Sequence, residues 1–337
     1  MRFLILFVSA MSAVTSVFSA ESTGRTIELK QEFKPAVSGE AADLWIPVPM
    51  NLDGYQEVLS QDHSGNADSV KLVKIGNVNL LHARWKKAAN PEFQVVTKIK
   101  MQDGRLPQKT KENVSQYLKP TAHVQTDGIV KETADKITAG LKDDDQKALA
   151  IYSWIVEKTV RDPNVRGCGL GDVKTTLTSG NLSGKCADLN SLFVGLARAA
   201  KIPARETFGV RVDASKEFPS LGKIGEVSKG QHCRAEYYSK LQKSWIPVDP
   251  ADVRKAILEE KLTLDDPKIA QIRNKFFGFW EGNWAAFNNG RDFVITNKGK
   301  KIPVNYFMYP MLVSASLSPD GMKPDEVKYT LTSAVLK

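Results

Sequence analysis

Ser183-Gly184-Lys185-Cys186-Ala187-Asp188-Leu189-Asn190 opens a strongly apolar stretch of the chain. Leu189, Leu192, Phe193, Leu196 and Ala200 follow at helical spacing, which predicts a helix that begins at Cys186 and buries that stripe. Lys201-Ile202-Pro203-Ala204-Arg205 ends it. A thiol at a loop-to-helix junction faces free backbone N–H groups, which favour the thiolate and can receive a developing oxyanion. Strands are predicted downstream at about 206–213, 232–239 and 244–248. This order implies an α+β fold with a helix packed on an antiparallel sheet.

The partners of Cys186 come from those strands. His232, in Gly230-Gln231-His232-Cys233-Arg234, starts one strand, and Asp249, in Trp245-Ile246-Pro247-Val248-Asp249-Pro250, ends the next. The short connection from Ser239 to Lys243 predicts a hairpin, which sets the end of the second strand beside the start of the first. Asp249 is therefore expected next to His232. A thiol, an imidazole and an orienting carboxylate in this order suit nucleophilic catalysis: His232 shares the thiol proton and Asp249 holds the ring. Lys185 would depress the thiol pKa further. Asp252 is the rival carboxylate, or else a cap for the following helix. His63 and His123 lie in polar, loop-like segments and His82 on a strand far upstream. A metal reading would draw on Cys168, Cys186, His232 and Cys233, but zinc ligands favour wider pair spacings. Adjacent strand residues also point to opposite faces. No metal and no cofactor is expected, and Cys233 is expected to point away from the face that His232 uses.

The 337 residues divide by composition. Met1-Arg2 and the apolar run Phe3 to Val17 read as a signal peptide ending near residue 20. The protein is thus expected to be exported, periplasmic or secreted, with no transmembrane span after signal removal. Residues 21–105 read as a β-rich, sandwich-like N-terminal domain. Its signals are alternation over Phe93, Val95, Thr97, Ile99 and Met101, and a hairpin turn at Gly76-Asn77. Residues 106–130 read as a linker, 131–255 as the catalytic core, and 256–337 as a helical and aromatic extension with closing strands near 292–296 and 303–308. In the core, Ala148, Ile151, Tyr152, Ile155 and Thr159 share a helical face that Asp143 or Asp144 could cap. The Gly-rich loop Arg166 to Asp172 lacks the Lys-Ser/Thr of a phosphate loop. Phe276, Phe277, Phe279, Trp280, Trp284 and Phe287 are expected to pack rather than to line a groove. The net charge of +9 is scattered, without a basic stripe or interleaved aromatics, so nucleic acid is not an expected partner. The three cysteines allow a Cys168–Cys233 disulfide that leaves Cys186 free, or three free thiols.

Three blocks carry a family resemblance: Gly184-Lys185-Cys186-Ala187-Asp188 with its helix to Arg205, Gln231-His232 to Tyr238, and Trp245 to Pro250. Over about 140–255 the chain resembles the transglutaminase-like superfamily and its papain-like fold, in particular the bacterial exported branch. The resemblance implies Cys186 as nucleophile, His232 as base, Asp249 as orienting acid, and acyl transfer on protein or peptide amides through a thioester. Both a protease or amidase and an amine transferase fit it. The implied partner is a protein or peptide substrate, and the net charge of +9 suits a second partner in an anionic cell envelope. The alternative is a catalytically silent peptide- or envelope-binding module on the same fold. Where many bacterial members carry an aromatic residue two positions after the His, this chain has Arg234, a difference expected to bear on substrate preference more than on the triad.

Overall fold

A computed structural model describes residues 24–104, 110, 112–317 and 327–336. The predicted signal segment lies outside the described residues. The first part of the chain forms β1 (Arg25–Phe33), β2 (Ala42–Pro47), β3 (Gln56–Gly65), β4 (Ser69–Ile75), β5 (Val78–Trp85) and β6 (Phe93–Met101). β1 and β6 alternate buried and partly exposed residues as a one-face-buried strand must. Ile27 pairs with Ile99 and Phe33 with Phe93 across their ladder, so the apolar side chains of both strands share a face. Phe33, Phe93 and Val95 meet Leu44, Ile46, Leu81, Ala83 and Trp85 of the facing sheet in one cluster. The expected hairpin is β4–β5, joined across Gly76-Asn77, with Gly76 at φ +57° as the tight turn needs.

The middle of the chain supplies α1 (Ile129–Ile137), α2 (Asp144–Lys158), β7 (Val160–Arg161), α3 (Val173–Thr178), β8 (Ser183–Gly184) and α4 (Cys186–Ala199). Ahead of α1, residues 114–118 form a short 3₁₀ turn that packs tightly. Tyr117 is buried against Trp245, and Arg205 reaches both Glu112 and the Tyr117 hydroxyl. Asp143 caps α2 by accepting the Gln146 N–H, and Ala148, Ile151, Tyr152 and Ile155 are buried as the spacing predicts. Every residue of α4 is buried. Its Leu189, Leu192, Phe193 and Leu196 are fully removed from solvent, each stabilising the fold by roughly 1.5–3 kcal/mol. Two polar residues on α4 find partners in the interior. Ser191 donates to Glu206, and Arg198 donates to the carbonyls of Ala204 and Lys119.

β9 (Ala204–Arg211), β10 (Gly225–Glu226), β11 (Gln231–Ser239), β12 (Ser244–Val248), α5 (Pro250–Glu259), α6 (Pro267–Lys275) and β13 (Trp284–Asn288) follow. The central sheet runs β12-β11-β9-β13 and is antiparallel throughout, with α4 packed against β11 and β9. Next come β14 (Arg291–Asn297), β15 (Lys300–Tyr306), β16 (Met311–Ser314) and β17 (Tyr329–Leu336). β14 and β15 were expected to close the core. They instead form a separate hairpin whose Ile295, Ile302 and Val304 pack with Trp45, Leu80 and Phe307 in a satellite cluster. The fourth strand of the central sheet is β13, which the aromatic composition of its segment disguised.

The late strands complete the early sheets. β16 pairs with β2 and β17 with β1, giving sheet orders β16-β2-β5-β4 and β10-β17-β1-β6-β3. Through β10, β17 also grips the segment that leads into β11. Val227 N–H donates to Leu331 O at 2.8 Å, and Leu331 N–H donates to Ser228 Oγ at 2.8 Å. Gln231 Nε2 donates to the Tyr329 hydroxyl at 3.0 Å. Ile27, Leu29, Ile99 and Met101 belong to the same core cluster as α4 and the central sheet, so the N-terminal sheet and the helical part share one hydrophobic interior. Among the described residues no helix is long and apolar enough to cross a membrane.

Candidate active site

Cys186 is the first residue of α4 and is 3% exposed. The turn that presents it is built around Asp188. That carboxylate accepts the Lys185 N–H at 2.8 Å with one oxygen and the Gly171 N–H at 2.8 Å with the other. It caps the helix and ties the Gly-rich loop to it. Two glycines make room: a Cβ at Gly184 would lie 2.4 Å from the Asp188 side chain, and one at Gly169 would lie 1.9 Å from it. Gly169 also sits at φ +93°, a backbone region that other residues enter only with strain. Ala187 N–H donates to Cys168 O at 2.9 Å, fixing the loop over the helix start. The sequence offered Asp188 only as a motif position; its bonds to two loop N–H groups are a tertiary feature.

The structure brings His232 and Asp249 together as the hairpin argument expects. Strand β12 pairs with β11 only from Ala235 to Ser239, so Asp249 falls just past Val248 and turns back toward the β11 start. His232 Nε2 lies 2.7 Å from Asp249 Oδ2 and 3.4 Å from Asp252 Oδ1. The other oxygen of Asp249, Oδ1, caps α5 by accepting the Asp252 N–H at 3.1 Å. Asp249 thus combines the two roles weighed between the aspartates from sequence, while Asp252 is held by Arg211 at 2.5 Å. Arg211 keeps the Asp252 carboxyl well below its ordinary range against the upward push of burial. Burial, then the Asp252 charge, raises Asp249, opposed by His232 and Arg234. For His232, burial and Arg211 push downward, yet Asp252 and Asp249 together outweigh them and the net shift is upward. On balance these charges therefore hold a proton on His232 more firmly than water does. His232, Asp249 and Asp252 also offer ligand atoms within 4.8 Å of one another, but the Arg211 guanidinium already neutralises one carboxylate of that set.

The three thiols gather at this point. All are free and buried, so the disulfide alternative is not the arrangement found. Cys186 is held well below the ordinary thiol range, first by a hydrogen bond from the Cys168 thiol, then by one from Cys233 and by His232, against the opposing effect of burial. Cys168 is pushed up by its bond to Cys186 and by burial, and Cys233 by burial and then by Cys186. The Cys168 thiol donates to Gln231 O at 3.4 Å, and Asn190 Nδ2 approaches Cys233 Sγ at 3.8 Å. Tyr309 donates to Cys168 Sγ at 3.1 Å. Cys233 was expected to point away from the site. Because β12 stops short, β11 has an open edge at His232 and Cys233, and both residues help to lower the Cys186 thiol pKa. Replacing Cys168 with Ala removes the largest influence that lowers the Cys186 pKa. The midpoint of Cys186 alkylation by iodoacetamide, followed by mass spectrometry, is expected to move upward toward the ordinary thiol value of about 8.5. An unmoved midpoint refutes this role for Cys168.

Behind the ring stands an aromatic wall. Trp284 Nε1 donates to His232 O at 2.9 Å, and Trp280 Nε1 to Val248 O at 3.2 Å, so the Phe/Trp segment packs and also positions both strands. Arg234 lies between these indoles, 4.9 Å from the Trp284 ring centroid and 5.9 Å from that of Trp280. It donates to the Tyr55 hydroxyl at 3.1 Å and to Glu281 O at 2.8 Å, and its Nε lies 3.5 Å from Asp249 Oδ2. Arg234 was expected to bear on substrate preference; at 3% exposure behind Asp249 it acts on the carboxylate instead. Asn190, one turn after Cys186, donates to Cys233 O at 2.8 Å and approaches Asp249 Oδ1 at 3.4 Å. It escaped the sequence reading, although a lone amide in an apolar helix is the signal that could have found it. The other histidines are engaged elsewhere: His82 bonds Asp43, His123 bonds Asp292, and His63 packs on Phe93. Above Cys186 and His232 opens a cavity of about 290 Å³.

Cys186 thus heads a helix packed on the antiparallel sheet whose strand β11 carries His232. The model of the transglutaminase-like superfamily matches residues 131–250, and the chain belongs to that superfamily. It is 38% identical over 328 residues to an uncharacterized protein of Haemophilus influenzae, covering 90% of this chain and 88% of that one. A solved structure of a candidate cysteine protease from Cytophaga hutchinsonii matches with a TM-score of 0.55 and 17% identity over 93% of this chain and 99% of that one, a likeness of fold.

Proposed function

We infer that the protein is an exported cysteine-nucleophile enzyme that transfers acyl groups from protein or peptide amides through a thioester on Cys186. The supporting observation is the convergence of a low-pKa thiol at a helix start with an imidazole held at 2.7 Å by a buried carboxylate. The Cys186 thiolate attacks the amide carbonyl, and the oxyanion develops against the N-terminus of α4. Collapse breaks the C–N bond, and the His232 imidazolium gives its proton to the departing amine. Water or a second amine then attacks the thioester, His232 takes a proton from it, and the thiolate is released. Asp249 keeps the ring oriented through Nε2, leaving Nδ1 for the sulfur.

The opening twenty residues carry the assignment to export, through their apolar run behind Arg2. The test is incubation of the purified protein with a peptide library containing glutamine, with and without a primary amine, read by mass spectrometry. Cleaved peptides define a protease, released ammonia without amine incorporation an amidase, and incorporated amine a transferase. Stoichiometric binding with no covalent product at any pH would establish the silent binding module in place of the enzyme.

A further inference from the structure

The cavity over Cys186 is cationic on every side. Lys185, Lys223, Lys229, Lys255, Arg161 and Arg211 line it, and neither an Asp nor a Glu does among the described residues. Part of this charge is spent locally. Arg211 is neutralised by Asp252, while Arg161 and Lys255 share Glu259 at 3.5 and 2.9 Å. Lys223 meets Glu226 at 3.5 Å, with both side chains 58% exposed, a geometry of little energetic weight. Lys185 and Lys229 have no ion pair among the described residues. The groove then continues into a second cavity of about 430 Å³ that also holds Lys185 and Lys229 and adds Lys328 and Tyr329, again without an acidic residue among the described ones. Lys185, Lys229 and Lys328, none with an ion pair among the described residues, therefore border the path to the thiol, where a cleft concentrates their field on an incoming charge.

We propose that this groove selects acidic peptides, with Lys229, Lys328 and Lys185 taking carboxylates that flank the reacting amide. The proposal rests on the amide-directed reading above. Lysines set along a groove act as separate point charges and match single carboxylates carried on successive residues of an extended chain. Recognition of a compact phosphate cluster would call on bidentate arginines, and the two arginines here are turned to Asp252 and Glu259.

The experiment uses the full chain, native and with Lys229→Glu plus Lys328→Glu. Both lysines are exposed and outside the catalytic geometry; circular dichroism checks that the fold is kept. Alkylation of Cys186 by iodoacetate and by iodoacetamide is compared, with the labelled cysteine located by mass spectrometry. The anionic-to-neutral rate ratio is expected to drop by roughly tenfold in the variant and to decline with added salt in the native protein. An equal ratio in both proteins overturns the proposal. In a second arm, a fluorescent glutamate-rich peptide, its glutamine-rich counterpart and inorganic polyphosphate are titrated onto the Cys186→Ala protein. Binding of the acidic peptide that is lost on charge reversal supports the proposal; binding of polyphosphate alone, or of both peptides equally, refutes it. Neither arm needs turnover, so failure here is distinguishable from failure of the enzymatic assignment.

Discussion

Replacing Cys186 with alanine is expected to reduce turnover of amide substrates by at least about 1,000-fold, because a covalent route has no substitute once its nucleophile is removed. Folding should hardly suffer. The residue contributes one small side chain at the end of a helix whose other residues are all buried, and loss of one sulfur from such a site costs roughly 1 kcal/mol. Cys186→Ser is equally informative. A hydroxyl keeps the shape but not the low pKa that the Cys168 and Cys233 thiols confer, so activity should stay absent at neutral pH. Steady-state rates beside thermal melts separate the two effects. Retained activity in Cys186→Ala would place the chemistry elsewhere. In the native enzyme, the pH profile of kcat/KM should rise as Cys186 ionises below the ordinary thiol range. It should fall only where His232, raised above its ordinary value, loses its proton. The thiolate–imidazolium pair exists between these limits.

Asp249→Asn is expected to lower kcat by about 100- to 10,000-fold with little loss of stability. Asparagine retains an oxygen for the Asp252 N–H and so keeps the α5 cap, but it withdraws the charge that holds the imidazolium. Asp249→Ala should lose the cap too, about 1 kcal/mol further. Asp252→Asn behaves differently: it strands buried Arg211 and is expected to cost about 3–5 kcal/mol. Urea titration alongside the kinetics distinguishes these cases. Equal kinetic and stability losses in all three variants would show that the carboxylates are interchangeable supports. The pH sign is set by Asp252. Its carboxyl is depressed in the folded state, so its contribution is fully present above the unfolded value of about 3.9 and disappears as pH falls through the folded one.

What could be read from the chain was local or short-range. Cys186 at the head of an apolar stripe announces its helix, and the short connection between two strands announces the hairpin that seats Asp249 beside His232. Gly76-Asn77 announces a turn in the same way. Arg211, Asn190, Asp188 and Arg234 acquire their meaning from partners 41, 43, 17 and 179 residues away, and no pattern within either segment specifies those distances. Cys233 was misjudged for a related reason. Strand alternation gives its face correctly, but not that β12 ends early and exposes an edge that Cys186 can approach. Likewise β13 joins the central sheet through a segment whose aromatics read as packing, because a strand buried on both faces shows no alternation.

The clasp of β17 on β10 and β1 sets a schedule for the molecule. Cys186, His232 and Asp249 all emerge from the ribosome well before residues 329–336, whose backbone and Tyr329 fasten the 225–231 segment in front of His232. At ~5–20 residues per second, the intervening hundred or so residues take on the order of ten seconds. Closing the β1–β17 ladder, which joins Thr26 to Leu336, is itself a slow, non-local step. A growing chain thus carries Cys186, His232 and Asp249 for seconds before the strand that fastens the 225–231 segment has been made.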